Sequence, residues 1–350
     1  MNHGEKVKMD FAKEVDQLIN DMAKPYNSLG LLEKYIKKVF LGWGTLYSEI
    51  KPYHLIFAAD NGISQEGVVK QSSQITYLQA QNMVDGHATI SCFCAINQIP
   101  YSVIDVGINH LNSVGIDYKA ARGTKNFLKE EAMNTEEFDQ AVQAGENMVR
   151  LVKSKGYNLV SFGEMGIGNT TTSSAVLHAL AKILPEFVVG YGANQLNPEV
   201  IKRKRAVVAE GVVLHSPKMH SVEDILRCVG GFDIVAICSG MLECSNQKIP
   251  FVIDGFITAV AYACAIGIEP NVEKYAIPSH ISREPGMICA LKLGNIAAEE
   301  VPIRADMALG EGTGAVLMVV MLRTMMYAVQ HVSKMSDFNT SLPEAKLTAL

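Results

Sequence analysis

Along this chain, short apolar runs rich in β-branched and aromatic residues alternate with longer stretches whose apolar positions recur at helical spacing. The short runs predict strands over 54–59, 102–106, 158–162, 188–190, 250–253 and 274–277. The longer ones predict helices over 76–98, 135–155, 171–183, 198–213, 232–244, 256–266, 284–293 and 314–332. Strands and helices taking turns in this way build an α/β fold, a doubly wound, mainly parallel sheet covered on both faces. Two amphipathic helices, 9–19 and 30–40, precede it. No internal repeat and no long Gly/Ser/Pro linker divides the chain, and 333–350 reads as a polar, loosely held tail. The apolar stretch 251–268 nears the length of a membrane span. Asp254-Gly255 breaks it near its start, so a strand followed by a helix fits it better. The methionine-rich run 318–326 contains Arg323 and reads as a packed helix.

Composition narrows the functional classes. A chain of 350 residues fits one large α/β domain or two average ones. Its net charge of −5 gives no basic excess for a nucleic-acid partner. The one cationic cluster, Lys202-Arg-Lys-Arg205, is too short for a nucleic-acid face and reads as a solvated helix face, with Lys204 the member able to turn inward. Seven scattered cysteines show no metal spacing, and Cys92 and Cys94 stand too close for the usual zinc pair. An odd count in apolar contexts points to buried free thiols in a reducing compartment. The charged start of the chain lacks an apolar signal core, which makes the expected location cytoplasmic. No metal, cofactor, nucleic acid or membrane is called for.

Chemistry concentrates in four glycine-bearing segments. Residues 163–172 read Gly-Glu-Met-Gly-Ile-Gly-Asn-Thr-Thr-Thr, between a predicted strand and a predicted helix. Glycine lets the backbone approach a ligand, and amides and hydroxyls at a helix start favour an anion such as phosphate. Asn169 stands where a Walker loop needs lysine, and the glycine spacing is not that of a dinucleotide fingerprint. Read alone, the segment equally fits a strand-to-helix turn capped by threonines. Residues 309–314, Leu-Gly-Glu-Gly-Thr-Gly, place Glu311 among glycines before an apolar helix. A carboxylate so exposed to a substrate can accept a proton, although a helix start tends to lower its pKa. Residues 279–286, Ser-His-Ile-Ser-Arg-Glu-Pro-Gly, combine hydroxyl, imidazole and guanidinium groups. They also suit a helix start at Ser282 with Pro285 in the first turn. Residues 250–256 form a strand ending in Asp254-Gly255, where Asp254 is either a ligand contact at a strand's carboxyl end or the cap of the following helix.

Together these segments resemble the nicotinate-nucleotide–dimethylbenzimidazole phosphoribosyltransferase family. The resemblance also takes in Phe57-Ala-Ala-Asp-Asn-Gly62, Glu66-Gly-Val68, the stretch from Ile75 to Met83, Val103-Ile-Asp-Val-Gly107 and Val229-Gly-Gly231, in family order over roughly 55–320. It implies a small helical subdomain from the chain ends, 1–45 with 320–350, and a nucleotide-binding catalytic domain over 46–319. It implies that Glu311 is the general base, and that Glu164, Gly166, Gly168, Asn169 and Thr170 hold nicotinate mononucleotide. It places Lys204 near the phosphate; Asp254, Gly255 and Ser282 at ribose and phosphate; Gln79 in the aromatic-base pocket; and Gly190, Leu309 and Gly310 along the site.

Four positions depart from the family pattern: Asn61 where histidine is usual, Gln71 beside the base pocket, Tyr191 after Gly190, and Ala308 before Leu309. The donor side looks kept and the acceptor side altered. The implied reaction moves phosphoribose from nicotinate mononucleotide to an aromatic acceptor, in a homodimer or in a heterodimer with a paralogous chain. Glu311 takes the acceptor's proton, while Glu164 and Asp254 ease the positive charge developing on the sugar. The acceptor is 5,6-dimethylbenzimidazole or a related base. The alternatives are phenol or p-cresol, or a non-catalytic chain supporting an active partner. A nucleotide kinase or ATPase is disfavoured by the missing Lys-Ser/Thr pair.

Overall fold

The computed structural model describes residues 3–192 and 197–338, with side chains from residue 9 onward. Six strands, β1 (Pro52–Ala59), β2 (Tyr101–Gly107), β3 (Ile116–Asp117), β4 (Leu159–Met165), β5 (Phe251–Ile253) and β6 (Ala276–Pro278), form one sheet in the order β3-β2-β1-β4-β5-β6. Every neighbouring pair is parallel. The apolar strand sequences are used with period two. Leu55, Phe57 and Ala59 of β1, with Val160, Phe162, Phe251 and Ile253, enter one hydrophobic cluster. Ile56 and Ala58, with Leu159, Val252 and Ile277, enter the other.

The first cluster is covered by α5 (Thr135–Ser154), α6 (Asn169–Ala181), α8 (Pro198–His215), α9 (Val222–Val229), α10 (Phe232–Asn246), α11 (Phe256–Ile268) and α12 (Met287–Leu293). The second is covered by α1 (His3–Asn20), α2 (Leu31–Trp43), α3 (Gln74–Val84), α4 (Thr89–Ile96) and α13 (Thr313–His331). Helix α13 has the length and hydropathy of a membrane span. Here its Val316, Val319, Leu322 and Met326 are buried in the second cluster, and Arg323 donates to the carbonyl of Asn97 at 2.7 Å.

Several expected boundaries move. The predicted helix 76–98 is two helices, because Asp85, Gly86 (φ +83°) and His87 turn the chain between α3 and α4. The predicted strand 188–190 is not one. Pro185 starts a single helical turn, α7 (Pro185–Val188), and the chain leaves it extended without a sheet neighbour among the described residues. The short strand β3 and helix α9 were not anticipated. Helix α12 begins at Met287 rather than at Ser282. Residues 333–335 are pinned rather than loose: Ala23 N donates to the Ser333 carbonyl at 2.7 Å and Met335 N to that of Asp21 at 2.7 Å. The rest of the expected tail, from 339 on, lies outside the described residues.

The chain runs from β1 outward to β2 and β3, then crosses to β4 on the other side of β1. Strand order therefore reverses between β1 and β4, and such a switch point opens a crevice at the carboxyl ends of the strands. Glu164 and Met165 end β4 at that crevice, and Asp254 follows β5 there.

Candidate active site

A cavity of about 440 Å³ opens at these strand ends. Its wall brings together Gln71, Gln79, Glu164, Gly166, Gly168, Asn169, Thr170, Asp254, Gly255, Ser282, Leu309, Gly310 and Glu311. Gly190 and Lys204 lie behind the wall. Lys204 is fully buried and donates to Thr170 Oγ1 at 3.1 Å and to the Gly190 carbonyl at 2.8 Å. Burial pulls its pKa down to about 8, against the upward pull of Glu284. Of the three threonines in the loop only Thr170 reaches the cavity; Thr172 turns inward and donates to Asn61 Oδ1 at 3.0 Å. Among the four departures, Gln71 and Ala308 are on the wall. Asn61 lies beneath the glycine loop and Tyr191 off the wall, so neither shapes the acceptor side directly.

Glu311 sits in the left-handed region at φ +62°, between Gly310 (φ +85°) and Gly312 (φ +88°). That costs a residue with a Cβ on the order of 1–2 kcal/mol, and the surroundings hold it there. Its carbonyl accepts from His54 Nε2 at 3.0 Å, while His54 Nδ1 meets Ser161 Oγ at 2.8 Å. Burial drives the His54 pKa down to about 4, so the ring is neutral, with its proton on the nitrogen facing the carbonyl. A side chain at Gly312 is excluded, since its Cβ would lie 2.0 Å from His54 Cε1. The carboxylate of Glu311 accepts from Gln79 Nε2 at 2.8 Å and from the Ile90 amide at 3.3 Å. Ile90 is in the first turn of α4, whose N-cap, Ala88, has no capping side chain. Glu311 thus caps a helix other than the one it precedes. Its pKa was expected to fall at a helix start. It rises, because burial outweighs these two hydrogen bonds and Asp254 adds repulsion.

Asp254 makes a similar exchange. It caps not α11, whose N-cap is Gly255, but α13: its carboxylate accepts from Gly312 N at 3.2 Å and Ala315 N at 2.9 Å. Ser282 likewise starts no helix; its hydroxyl receives the Glu284 amide at 3.4 Å in a local turn.

Glu164 is buried, with an acidic residue not anticipated beside it. Asn169 Nδ2 donates both to Glu164 Oε2 and, at 3.2 Å, to Oδ2 of Asp233 in the first turn of α10. Burial pushes Glu164 up to about 8, and Asp233, Asp254 and Glu311 push the same way; burial pushes Asp233 to about 7. Two carboxylates sharing one amide donor cannot both ionise cheaply, so the pair favours retaining a proton near neutrality. Gly310 favours glycine through its φ of +85°, and a Cβ there would stand 2.5 Å from Glu164 Oε1. Sequence reading also missed His54 and His280. His54 carries no local signal in a buried strand, while His280 was inside a recognised segment but assigned no role. No cluster of metal-ligating side chains occurs among the described residues.

Known proteins resemble this chain over most of its length. A family model described as Phosphoribosyltransferase (DBI_PRT) matches residues 5–341. The nicotinate-nucleotide–dimethylbenzimidazole phosphoribosyltransferase of Vibrio atlanticus (strain LGP32) is 35% identical over 340 residues, covering 94% of this chain and 96% of that protein. That of Clostridium acetobutylicum is 37% identical over 307 residues, covering 87% and 86%. The crystal structure of CobT from Thermus thermophilus superposes with a TM-score of 0.88 at 30% identity, over 95% of this chain and all of that one. With its parallel sheet, its glycine-lined cavity and these relatives, the chain belongs to the nicotinate-nucleotide–dimethylbenzimidazole phosphoribosyltransferase family of pentosyltransferases.

Proposed function

We propose that this chain transfers phosphoribose from nicotinate mononucleotide to an aromatic lower-ligand acceptor, 5,6-dimethylbenzimidazole or a related base, releasing nicotinate and an α-ribotide for cobamide synthesis. The observation that carries this reading is the position of Glu311. Its carboxylate stands where the wall bearing Gln71, Ile75 and Gln79 meets the wall bearing Glu164, Gly166–Thr170 and Asp254. The donor's phosphate lies at the start of α6 by Thr170, with the Lys204 charge behind that hydroxyl. Gly255, Ser282, Leu309 and Gly310 surround the sugar, and Gln71 and Gln79 line the acceptor's place.

The acceptor nitrogen attacks C1′ on the face opposite the departing pyridinium. The electron pair of the breaking C1′–N bond returns to nicotinate, and the configuration passes from β to α. Asp254, together with Glu164 once it is ionised, offsets the positive charge that builds on the sugar. Glu311 takes the proton from the acceptor's other nitrogen, and burial raises its affinity for that proton.

The edge of α3 that carries the acceptor wall is open: Ile75 is 39% exposed and Leu78, three residues on, 55%. We assign this edge to contact with a second chain, a copy or a paralogue, in a dimer. The free cysteines, five of them buried, suit the reducing cytoplasm. Incubating the purified chain with nicotinate mononucleotide and either dimethylbenzimidazole or p-cresol, and identifying the ribotide, tests the reading. An α-ribotide of the base supports it. A product from p-cresol alone reassigns the acceptor, and no product from the chain by itself favours the supporting-chain alternative.

A further inference from the structure

His280 is only 2% exposed, yet its ring forms part of the cavity wall. It follows β6 and is wedged between the starts of two helices. A Cβ at Gly255 would lie 3.3 Å from Cε1 and 3.4 Å from Nε2, and one at Gly314 only 2.0 Å from Nδ1. The ring is therefore fixed, with its inner edge toward α13 and its outer edge beside Gly255 in the cavity.

The partners of the inner nitrogen determine the tautomer. Ser279 Oγ donates its hydrogen to the Asp254 carbonyl at 3.0 Å, which leaves that oxygen free to accept from His280 Nδ1 at 3.1 Å. The Asp254 carboxylate, 3.7 Å from Nδ1, favours a proton on the same nitrogen. Both neighbours of Nδ1 thus act as acceptors, which selects the tautomer with its hydrogen on that nitrogen. Nε2 is left with a lone pair and has no hydrogen-bond partner among the described residues. An acceptor on the cavity wall with no protein partner is matched by a donor from the ligand. A sugar hydroxyl is such a donor.

We propose that His280 Nε2 accepts a hydrogen bond from a ribose hydroxyl of the phosphoribosyl donor, with Ser279 and Asp254 holding the tautomer that makes this possible. The assignment rests on the reading of the cavity as a phosphoribosyltransferase site and adds a sugar contact to it. A bond to a hydroxyl next to the reacting carbon strengthens as positive charge develops there, so its loss falls more on kcat than on KM.

The test is a cycle of three donors, nicotinate mononucleotide and its 2′-deoxy and 3′-deoxy forms, with wild type, His280→Asn and His280→Gln. Asparagine keeps an amide toward Ser279 and withdraws the cavity-facing atom, whereas glutamine puts an acceptor back near the Nε2 position. Wild type is expected to lose about tenfold to a hundredfold in kcat/KM on one of the deoxy donors. His280→Asn should lose a similar factor on the natural donor and then be nearly indifferent to removal of that same hydroxyl. His280→Gln should recover part of the loss. Losses of His280→Asn that are equal on all three donors overturn the proposal. So does wild-type indifference to both deletions, which needs no variant to fold. If wild type forms no ribotide from the natural donor with any acceptor, the reading of the site fails instead. The same cycle run by calorimetric binding of the three donors then decides the contact at His280 separately.

Discussion

The loop at 163–170 and the stretch 69–79 line one cavity and are held in different ways. The loop is internal. Gly166 and Gly168 bring backbone to the cavity, Asn169 ties Glu164 to Asp233, and buried Lys204 braces Thr170 from behind. The stretch 69–79 is largely a surface. It begins after a 3-10 turn (Gly62–Glu66), reaches the interior through Thr76 and Gln79, and leaves Ile75 and Leu78 in solvent. Its link to the loop is Thr76, which donates to Asp60 Oδ1 at 2.6 Å and accepts from the Ile167 amide at 3.1 Å. On the proposed reading the donor meets the braced loop, and the acceptor meets side chains on an exposed edge.

Substitutions on the two sides should separate accordingly. The largest effect is expected where the sides meet. Glu311→Gln should cut turnover by about 10²–10⁴-fold while donor affinity, measured by calorimetry, changes little. On the donor side, Lys204→Met should raise the donor KM about tenfold to a hundredfold, because the cation behind Thr170 is lost and the buried Gly190 carbonyl is orphaned; the acceptor KM should not move. On the acceptor side, Gln79→Leu should raise the acceptor KM by about tenfold and leave donor binding intact. If both Lys204→Met and Gln79→Leu shifted both constants equally, the division would be wrong.

The smallest effect is one of pH. Glu164 is raised from 4.5 to about 8, so the folded chain keeps a proton there that the unfolded chain has lost. Its contribution favours folding below about pH 4.5 and is lost as pH rises through about 8. Glu164→Gln should therefore melt higher than wild type at pH 8.5 and alongside it at pH 4.5, in scanning calorimetry at both values. Its shortfall in kcat/KM should grow from near zero at pH 6 to about tenfold at pH 8.5, as the wild-type carboxylate ionises.

The same contrast explains what was legible in the sequence. The strands of the sheet centre and the segments 163–172 and 309–314 are contiguous signals, because a glycine-built loop writes its geometry into neighbouring residues. All the expected donor-side residues come to the cavity or directly behind it. The partners of those residues were not legible, because they are distant in sequence. Nothing local tells that Asp254 caps α13, that Glu311 reaches across to α4, or that Asp233 shares Asn169 with Glu164. Helix 76–98 was overextended across Asp85-Gly86, where a turn signal was present but outweighed by apolar spacing on both sides. The strand expected at 188–190 failed because Val188 and Val189 are buried by a helical turn packing on the core, where β-branched residues serve equally well.

The central claim is that Glu311 receives the acceptor's proton at the junction of the two sides. A crystal structure with nicotinate mononucleotide and dimethylbenzimidazole both bound, trapped with Glu311→Gln, addresses it most directly. The side chain at 311 is expected within about 3 Å of the acceptor's outer nitrogen, with the inner nitrogen facing C1′. An acceptor bound out of reach of that side chain, with residue 311 still engaged by Gln79 and the Ile90 amide, would contradict it.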